Sequence, residues 1–335
     1  MRRLDEGATL RSIVAAQLPS GMIPWAPGHH GDPWNHTEAV IALAAGGFER
    51  EAAAGLSWLA SAVNSDGSFC QYFLANGIKE PRIDLNCCLY PAVGILAHLL
   101  FAGDVSAVRA HMEWFDITTG FVLGYQREDG GFPWAVDPDR KPLVGSLKAG
   151  SSAMVIAFDA IEALDELLGR SRGQIKEARE ALVSLIADTP ERFLDKTEWA
   201  MDSYYPVLAG AVSGEEARAM LLGLKERHLV DGHGIRALSS SEWVTAAETA
   251  EAAMAFVHAG EHDTAEMLLN GIEALRRGDG SYLTGRVLPS LASFPPGECS
   301  TYSAAAVVIA NRMVSLRRRV GFVEALIALG DLAGD

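Results

Sequence analysis

The sequence predicts an all-α protein, an (α/α)6 toroid in which outer and inner helices alternate around a central funnel. Three observations predict it. Short glycine turns recur along the chain. The segments before them carry charge on one side and apolar residues at helical spacing. The segments after them are rich in alanine and poor in charge, as helices buried nearly all round are.

The turns are "QLPSGMIPW" from Gln17, "NSDGSFCQY" from Asn64, "QREDGGFPW" from Gln126 and "RGDGSYLTG" from Arg277, with "LVDGHGIRAL" from Leu229 a degenerate copy. The outer helices are "EREAAAGLSWLASAV", "VRAHMEWFDITTGFVLGY", "GQIKEAREALVSLIA", "GEEARAMLLGLKER" and "HDTAEMLLNGIEALR". The inner runs are "TEAVIALAAGG", "LNCCLYPAVGILAHLLFAG", "GSSAMVIAFDAIEALDELLG", "SYYPVLAGAV", "TAAETAEAAMAFVHAG" and "STYSAAAVVIANRMV". Alanine favours helix and lets neighbours pack closely. An open solenoid would need polar end caps; the last inner run, "YSAAAVVIAN", is apolar and favours closure. The expected organisation is one toroid domain over residues 1–335. Residues 314–335 form a C-terminal helix that covers one side or meets another subunit.

The chain has 335 residues, 49% of them hydrophobic, enough for a large core. A formal net charge of −15 argues against nucleic acid, whose phosphates need a basic face. It argues less against a small anion, which a few arginines can hold. The opening "MRRLDEGATL" lacks an apolar core, so no signal peptide is expected. No apolar run is long enough without interruption to predict a membrane span. The four cysteines form no CxxC pair, and reduced thiols in a cytoplasm are expected.

Chemistry should collect where the connections enter the inner helices. These read "HHGDPWNHTE", "EPRIDLN", "LVGSLKAGSS", "TEWAMDSYY", "SSSEWVTAAE" and "FPPGECSTYS". They supply candidate acids at Asp32, Glu38, Asp84, Asp202 and Glu248. Candidate substrate contacts are Trp25, Trp34, His36, Asn86, Trp134, Tyr204, Tyr205, Trp243, Tyr282, Arg82 and Arg236, with Trp199 and Tyr302 in the same connections. Acids at helix starts are ordinary caps, but caps do not account for the aromatic clustering, which fits binding by stacking or cation–π contact. His29, His30, His36 and Asp32 have no metal-ligand spacing, so no metal is assigned. Cys87 and Cys88 start an apolar helix, where cysteine is usually packing.

"FVLGYQREDGGFPW" resembles the Gln-Trp repeat of squalene and terpene cyclases. "IDLNCCLYPAVG" resembles the inner-helix start that carries their acidic motif, and the matching helix of protein prenyltransferase β subunits. The chain is also similar to small bacterial prenyltransferase-like toroids with a "GxxPWxPGxHxDPWxHxEA"-type start and a "DxNxxxY" segment. The resemblance implies a toroid and an isoprenoid substrate, with Asp32, Asp84, Asp202 or Glu248 as acid and aromatics stabilising cations. Arg82, Lys148, Arg236 and Arg286 would grip a pyrophosphate, with magnesium needed only for such a diphosphate. The sequence departs from these families: Asp84-Leu85-Asn86-Cys87 stands where cyclases have DxDD, and DDxxD is absent. The alternative is a carbohydrate-processing enzyme with paired carboxylates among Asp32, Glu38, Asp202 and Glu248, and indole platforms. A non-catalytic binding toroid is a third reading, disfavoured because an acidic cluster is costly unless used.

Overall fold

The computed structural model describes residues 5–334; the opening "MRRL" and Asp335, the two ends of the expected domain, lie outside the described residues. The outer helices are α1 (Glu6–Ala16), α3 (Glu49–Ala62), α6 (Val105–Leu123), α8 (Gly173–Asp188), α10 (Gly214–His228) and α12 (His262–Ile272). The inner ones are α2 (Pro33–Ala45), α4 (Leu85–Cys88) with α5 (Pro91–Ala102), α7 (Lys148–Leu167), α9 (Met201–Leu208), α11 (Ala246–Ala259) and α13 (Thr301–Ser315). Around the ring α2 packs on α5, α5 on α7, α7 on α9, α9 on α11, α11 on α13, and α13 back on α2. The ring is closed; it is not a solenoid.

Sequence dictates which helix goes where. In α12 the buried residues Ala265, Leu268, Leu269 and Ile272 fall at i, i+3, i+4 and i+7, one apolar stripe facing inward. In α11 nearly every residue is buried, and alanines at 246, 247, 250, 252, 253 and 255 let two neighbours approach closely.

The recurring turns staple each hairpin to the next. The Gln17 side-chain amide donates to the carbonyls of Gly21 (3.0 Å) and Glu51 (2.9 Å), and Gln126 bonds Gly130 and Ala178 in the same way. Gly21 has φ +93°, and a Cβ there would lie 2.1 Å from the carbonyl oxygen of Ala54 on α3. Gly280 repeats this against Ala8 of α1, where a Cβ would sit 2.4 Å from a backbone carbon. The last turn therefore presses on the first outer helix and seals the ring.

Three features differ from the expectation. The run from Leu85 is not one helix: Pro91 cannot donate a backbone hydrogen bond, so α4 stops and α5 restarts with proline in its first turn. Leu85–Ala102 is long and apolar enough to cross a membrane, yet 72% of it is buried inside the ring. Short strands also decorate the rim. They are β1 (Tyr72–Leu74), β2 (Gly77–Glu80), β3 (Ile83–Asp84), β4 (Ala135–Val136), β5 (Leu229–Val230), β6 (Gly234–Arg236), β7 (Trp243–Thr245), β8 (Gly285–Val287) and β9 (Ala292–Ser293). β1 pairs with β2 and β3 with β4; β5 to β9 form one antiparallel sheet in chain order. The degenerate turn after Leu229 is the β5–β6 hairpin.

After α13 ends at Ser315, α14 (Phe322–Gly334) packs on α5, α7 and α13. Leu100, at the C-terminal end of α5, lies against Gly330, and Arg319 donates to the carbonyl of His258 at the C-terminal end of α11 (2.9 Å). The helix thus closes the end of the ring opposite the inner-helix N-termini.

Candidate active site

All the inner segments open at one rim, and their first turns meet there. A cleft of about 490 Å³ is lined by Trp25, His30, Asp32, Trp34, Asn35, Gln71, Tyr72, Asp84, Cys87, Trp199, Met201, Glu248 and Tyr302. The structure thus brings together three of the candidate acids, Asp32, Asp84 and Glu248.

Local folding positions each acid. Asp32 caps α2: one carboxyl oxygen accepts the Asn35 backbone N–H (2.9 Å) and the other the Asn35 side-chain amide (2.6 Å). Asp84 ends β3, paired with Ala135 of β4, and caps α4 by accepting both N–H groups of Asn86 (3.0 and 2.9 Å). Glu248 lies in the first turn of α11 and bonds the hydroxyl of Thr245, the last residue of β7. Capping and cleft-lining are therefore compatible roles for Asp32 and Asp84.

Burial pushes both Asp32 and Asp84 up to about 6. At Asp32 the Asn35 bonds oppose the shift, while the charge of neighbouring Asp84 adds to it. Burial also raises Glu248, opposed by the Thr245 bond. The thiol of Cys87 is raised well above its ordinary value by burial and by Asp84 and Asp32, which disfavours a thiolate nucleophile.

Asp202 lines a smaller pocket of about 230 Å³ that shares Trp34, Asp84, Trp199 and Met201 with the cleft. Its carboxyl is raised by burial and drawn back by Lys148 and the Ala149 N–H. A larger hollow, about 730 Å³, lies where α1 meets the loop before α13. It contains Arg11, Arg277 and Glu298 but no indole.

Below the cleft the ring axis is filled. Glu38 accepts the hydroxyl of Tyr90, and Glu251 accepts those of Tyr204, Tyr205 (2.8 Å) and Tyr302. Trp34 packs over Tyr90 and edge-on to Tyr205, at 5.3 and 5.6 Å between ring centres. Burial raises Glu38 to about 7 and Glu251 to about 8. Among the described residues this polar floor takes the place of the deep apolar funnel that a polyprenyl chain would need.

The remaining predicted contacts are held elsewhere. His36 is buried between the Ile23 N–H and the Gly55 carbonyl, at 3.0 Å each, and burial lowers it to about 4. Asn86 lies in the smaller pocket. Trp134 stacks under Arg82, whose guanidinium also bonds Gln71. Trp243 donates to the Phe294 carbonyl, and Tyr282 donates to Glu273. Arg236 pairs with Glu242 and Arg286 bonds the Ala274 carbonyl, so these arginines do not converge on one anion. His29 pairs with Glu298 and His30 stacks on Tyr72. Among the described residues no group of His, Cys, Asp and Glu is arranged to hold a metal ion.

Sequence reasoning missed Glu251, although an acid inside the alanine-rich "TAAETAEAAM" demands a buried partner. It also missed His30, Asn35, Gln71, Tyr72 and Met201, whose roles depend on rim strands and loops.

A rim that joins several carboxyls to indole faces suits the binding and processing of a sugar. No family model matches the chain. It is 33% identical to the MMP endo-(1,4)-3-O-methyl-alpha-D-mannosidase of Mycolicibacterium hassiacum, over 92% of this chain and 85% of that one. The chain belongs to the family of that mannosidase. Solved structures share the fold: a glycosidase variant in complex with glucose (TM-score 0.73, 14% identity, 93% of this chain and 96% of that one) and a D-mannose isomerase (TM-score 0.67, 12% identity, 93% and 97%). A novel alpha-amylase from Clostridium perfringens matches with TM-score 0.68 at 9% identity, over 93% of this chain and 98% of that one.

These findings overturn the terpene cyclase and prenyltransferase resemblance and the isoprenoid reading that followed from it. The physical reasons are the filled axis and the dispersed arginines. The shared Gln–Gly turn is a structural staple between hairpins, and it reports the fold rather than the substrate.

Proposed function

We propose that the protein is an endo-acting glycoside hydrolase that cleaves α-(1→4)-linked mannose chains bearing 3-O-methyl groups. The observation that carries the reading is that Asp32 and Glu248 face one cleft walled by Trp25, Trp34 and Trp199. The relationship to the mannosidase supports the bond type and the sugar. Indole faces suit the C–H surfaces of a sugar ring.

Hydrogen-bond chemistry separates the two acids. Both oxygens of Asp32 accept from N–H groups of Asn35, which can only donate, so they favour the ionised carboxylate. Asp32 is then the base. The side-chain partner of Glu248 is the Thr245 hydroxyl, which can accept as readily as donate, so Glu248 can carry a proton there. Glu248 protonates the glycosidic oxygen as the bond to the anomeric carbon breaks. Asp32 takes a proton from the water that attacks that carbon. Atoms balance with two carboxyls and one water.

The test is incubation with 3-O-methylated α-(1→4)-mannooligosaccharides, products being sized by mass spectrometry. Shorter oligosaccharides should form with the wild type but not with Asp32→Asn or Glu248→Gln. An intact substrate after prolonged incubation with the wild type overturns the reading.

A further inference from the structure

The pocket beside the cleft has walls unlike the cleft itself. Leu147, Ala149 and Met201 face it together with the indoles of Trp34 and Trp199. Resting on the glycoside-cleaving reading above, we propose that this pocket is the subsite that receives the methyl ether of an O-methylated sugar residue, and so selects methylated over unmethylated chains.

Continuity places the pocket within reach of a bound sugar. Trp34, Asp84, Trp199 and Met201 line both spaces, so a ring seated against the indoles extends a substituent into the side pocket without a break in contact. Its volume, about 230 Å³, accommodates a methoxy group with part of its ring.

One donor of the pocket is unpaired: the buried indole N–H of Trp34 has no partner among the described residues and can donate to an ether oxygen, while the other buried polar groups are engaged. The Asn86 amide donates to Asp84 and to the Trp134 carbonyl (2.9 and 3.1 Å). Asp202 is engaged by the Ala149 N–H and by Lys148. Lys196 is exposed. Against the faces of Leu147, Ala149, Met201 and the two indoles a hydroxyl loses water and gains little, whereas a methyl ether gains apolar contact.

Small residues keep the pocket open. A Cβ at Gly150 would lie 2.5 Å from the Asn86 side chain, so packing forbids a larger residue there unless Asn86 moves. Ala149 also lines the pocket, and its enlargement is the direct way to fill the space.

The experiment compares kcat/KM for α-(1→4)-mannooligosaccharides with and without 3-O-methyl groups. The wild type should prefer the methylated chain by about tenfold or more, the scale of one methyl in an apolar pocket. Ala149→Leu and Met201→Thr should each lower that ratio by about tenfold. If Ala149→Leu fails to fold, Met201→Thr and the wild-type ratio decide. Equal efficiency on both chains, or a preference that neither variant changes, overturns this inference and leaves the hydrolase reading standing. Cleavage of neither chain overturns both.

Discussion

Tyr302 reaches from α13 to donate its hydroxyl to Glu251 on α11, joining a wall of the cleft to the buried floor beneath it. Trp25, on the same wall, packs against Tyr302 with 5.7 Å between ring centres. Glu251→Gln should therefore disturb the cleft without removing a reacting group. The expected result is a KM raised severalfold with a smaller change in kcat, partly restored towards wild type by Glu251→Asp. Steady-state kinetics check this.

Asp32→Asn should cut kcat by about a thousandfold, within the range for a general base. Asparagine caps helices about as well as aspartate. The melting temperature should therefore stay within a few degrees of wild type, whereas a purely capping role would leave kcat intact. Glu248→Gln should match the kinetic loss. Single-turnover assays and calorimetry separate the two roles.

If Asp32 acts on water rather than attacking the sugar itself, the anomeric configuration inverts. Proton NMR of the first products should then show the β reducing end before mutarotation. An α end at first would assign Asp32 to nucleophilic attack.

The rate should also report the acid pair. Asp32 must be ionised, so kcat/KM should rise as pH climbs through about 6. Asp84 lies beside Asp32 and raises it, so Asp84→Asn should move the acidic limb downward. The limb belongs to the coupled pair, and only its displacement identifies Asp84.

Stability should weaken as pH rises. Glu38 and Glu251 are raised from 4.5 to about 7 and about 8, so the folded chain binds their protons more tightly than the unfolded chain. Their contribution is complete below 4.5 and is lost as pH rises through these values. His36 acts in the opposite sense: lowered from 6.5 to about 4, it supports the fold above 6.5 and loses that support as pH falls between the two values. Thermal melts across this range should show a smaller alkaline decline in Glu38→Gln/Glu251→Gln than in wild type.

The ring was legible because its cause is local. The α12 stripe and the alanine face of α11 are periodic patterns that any helix must bury. The Gln17 and Gly21 turn is equally local, but it carries no information on substrate: its amide ties one hairpin to the next whatever the ring encloses. Strands of two to four residues were illegible because so short a segment shows no alternation. Asp84 and Thr245 nonetheless end such strands, so part of the site geometry depends on pairings distant in sequence. Glu251 and its tyrosines come from α9, α11 and α13, and their convergence follows from closure.

The filled axis, with α14 behind it, makes the ring a cup rather than a tube. A cup has one opening, so a polymer cannot be threaded through it. On the proposed hydrolase reading, a long chain would lie across the lip and be cut where it dips inward. Both fragments would leave by the way they came, so each encounter should yield a single scission followed by release.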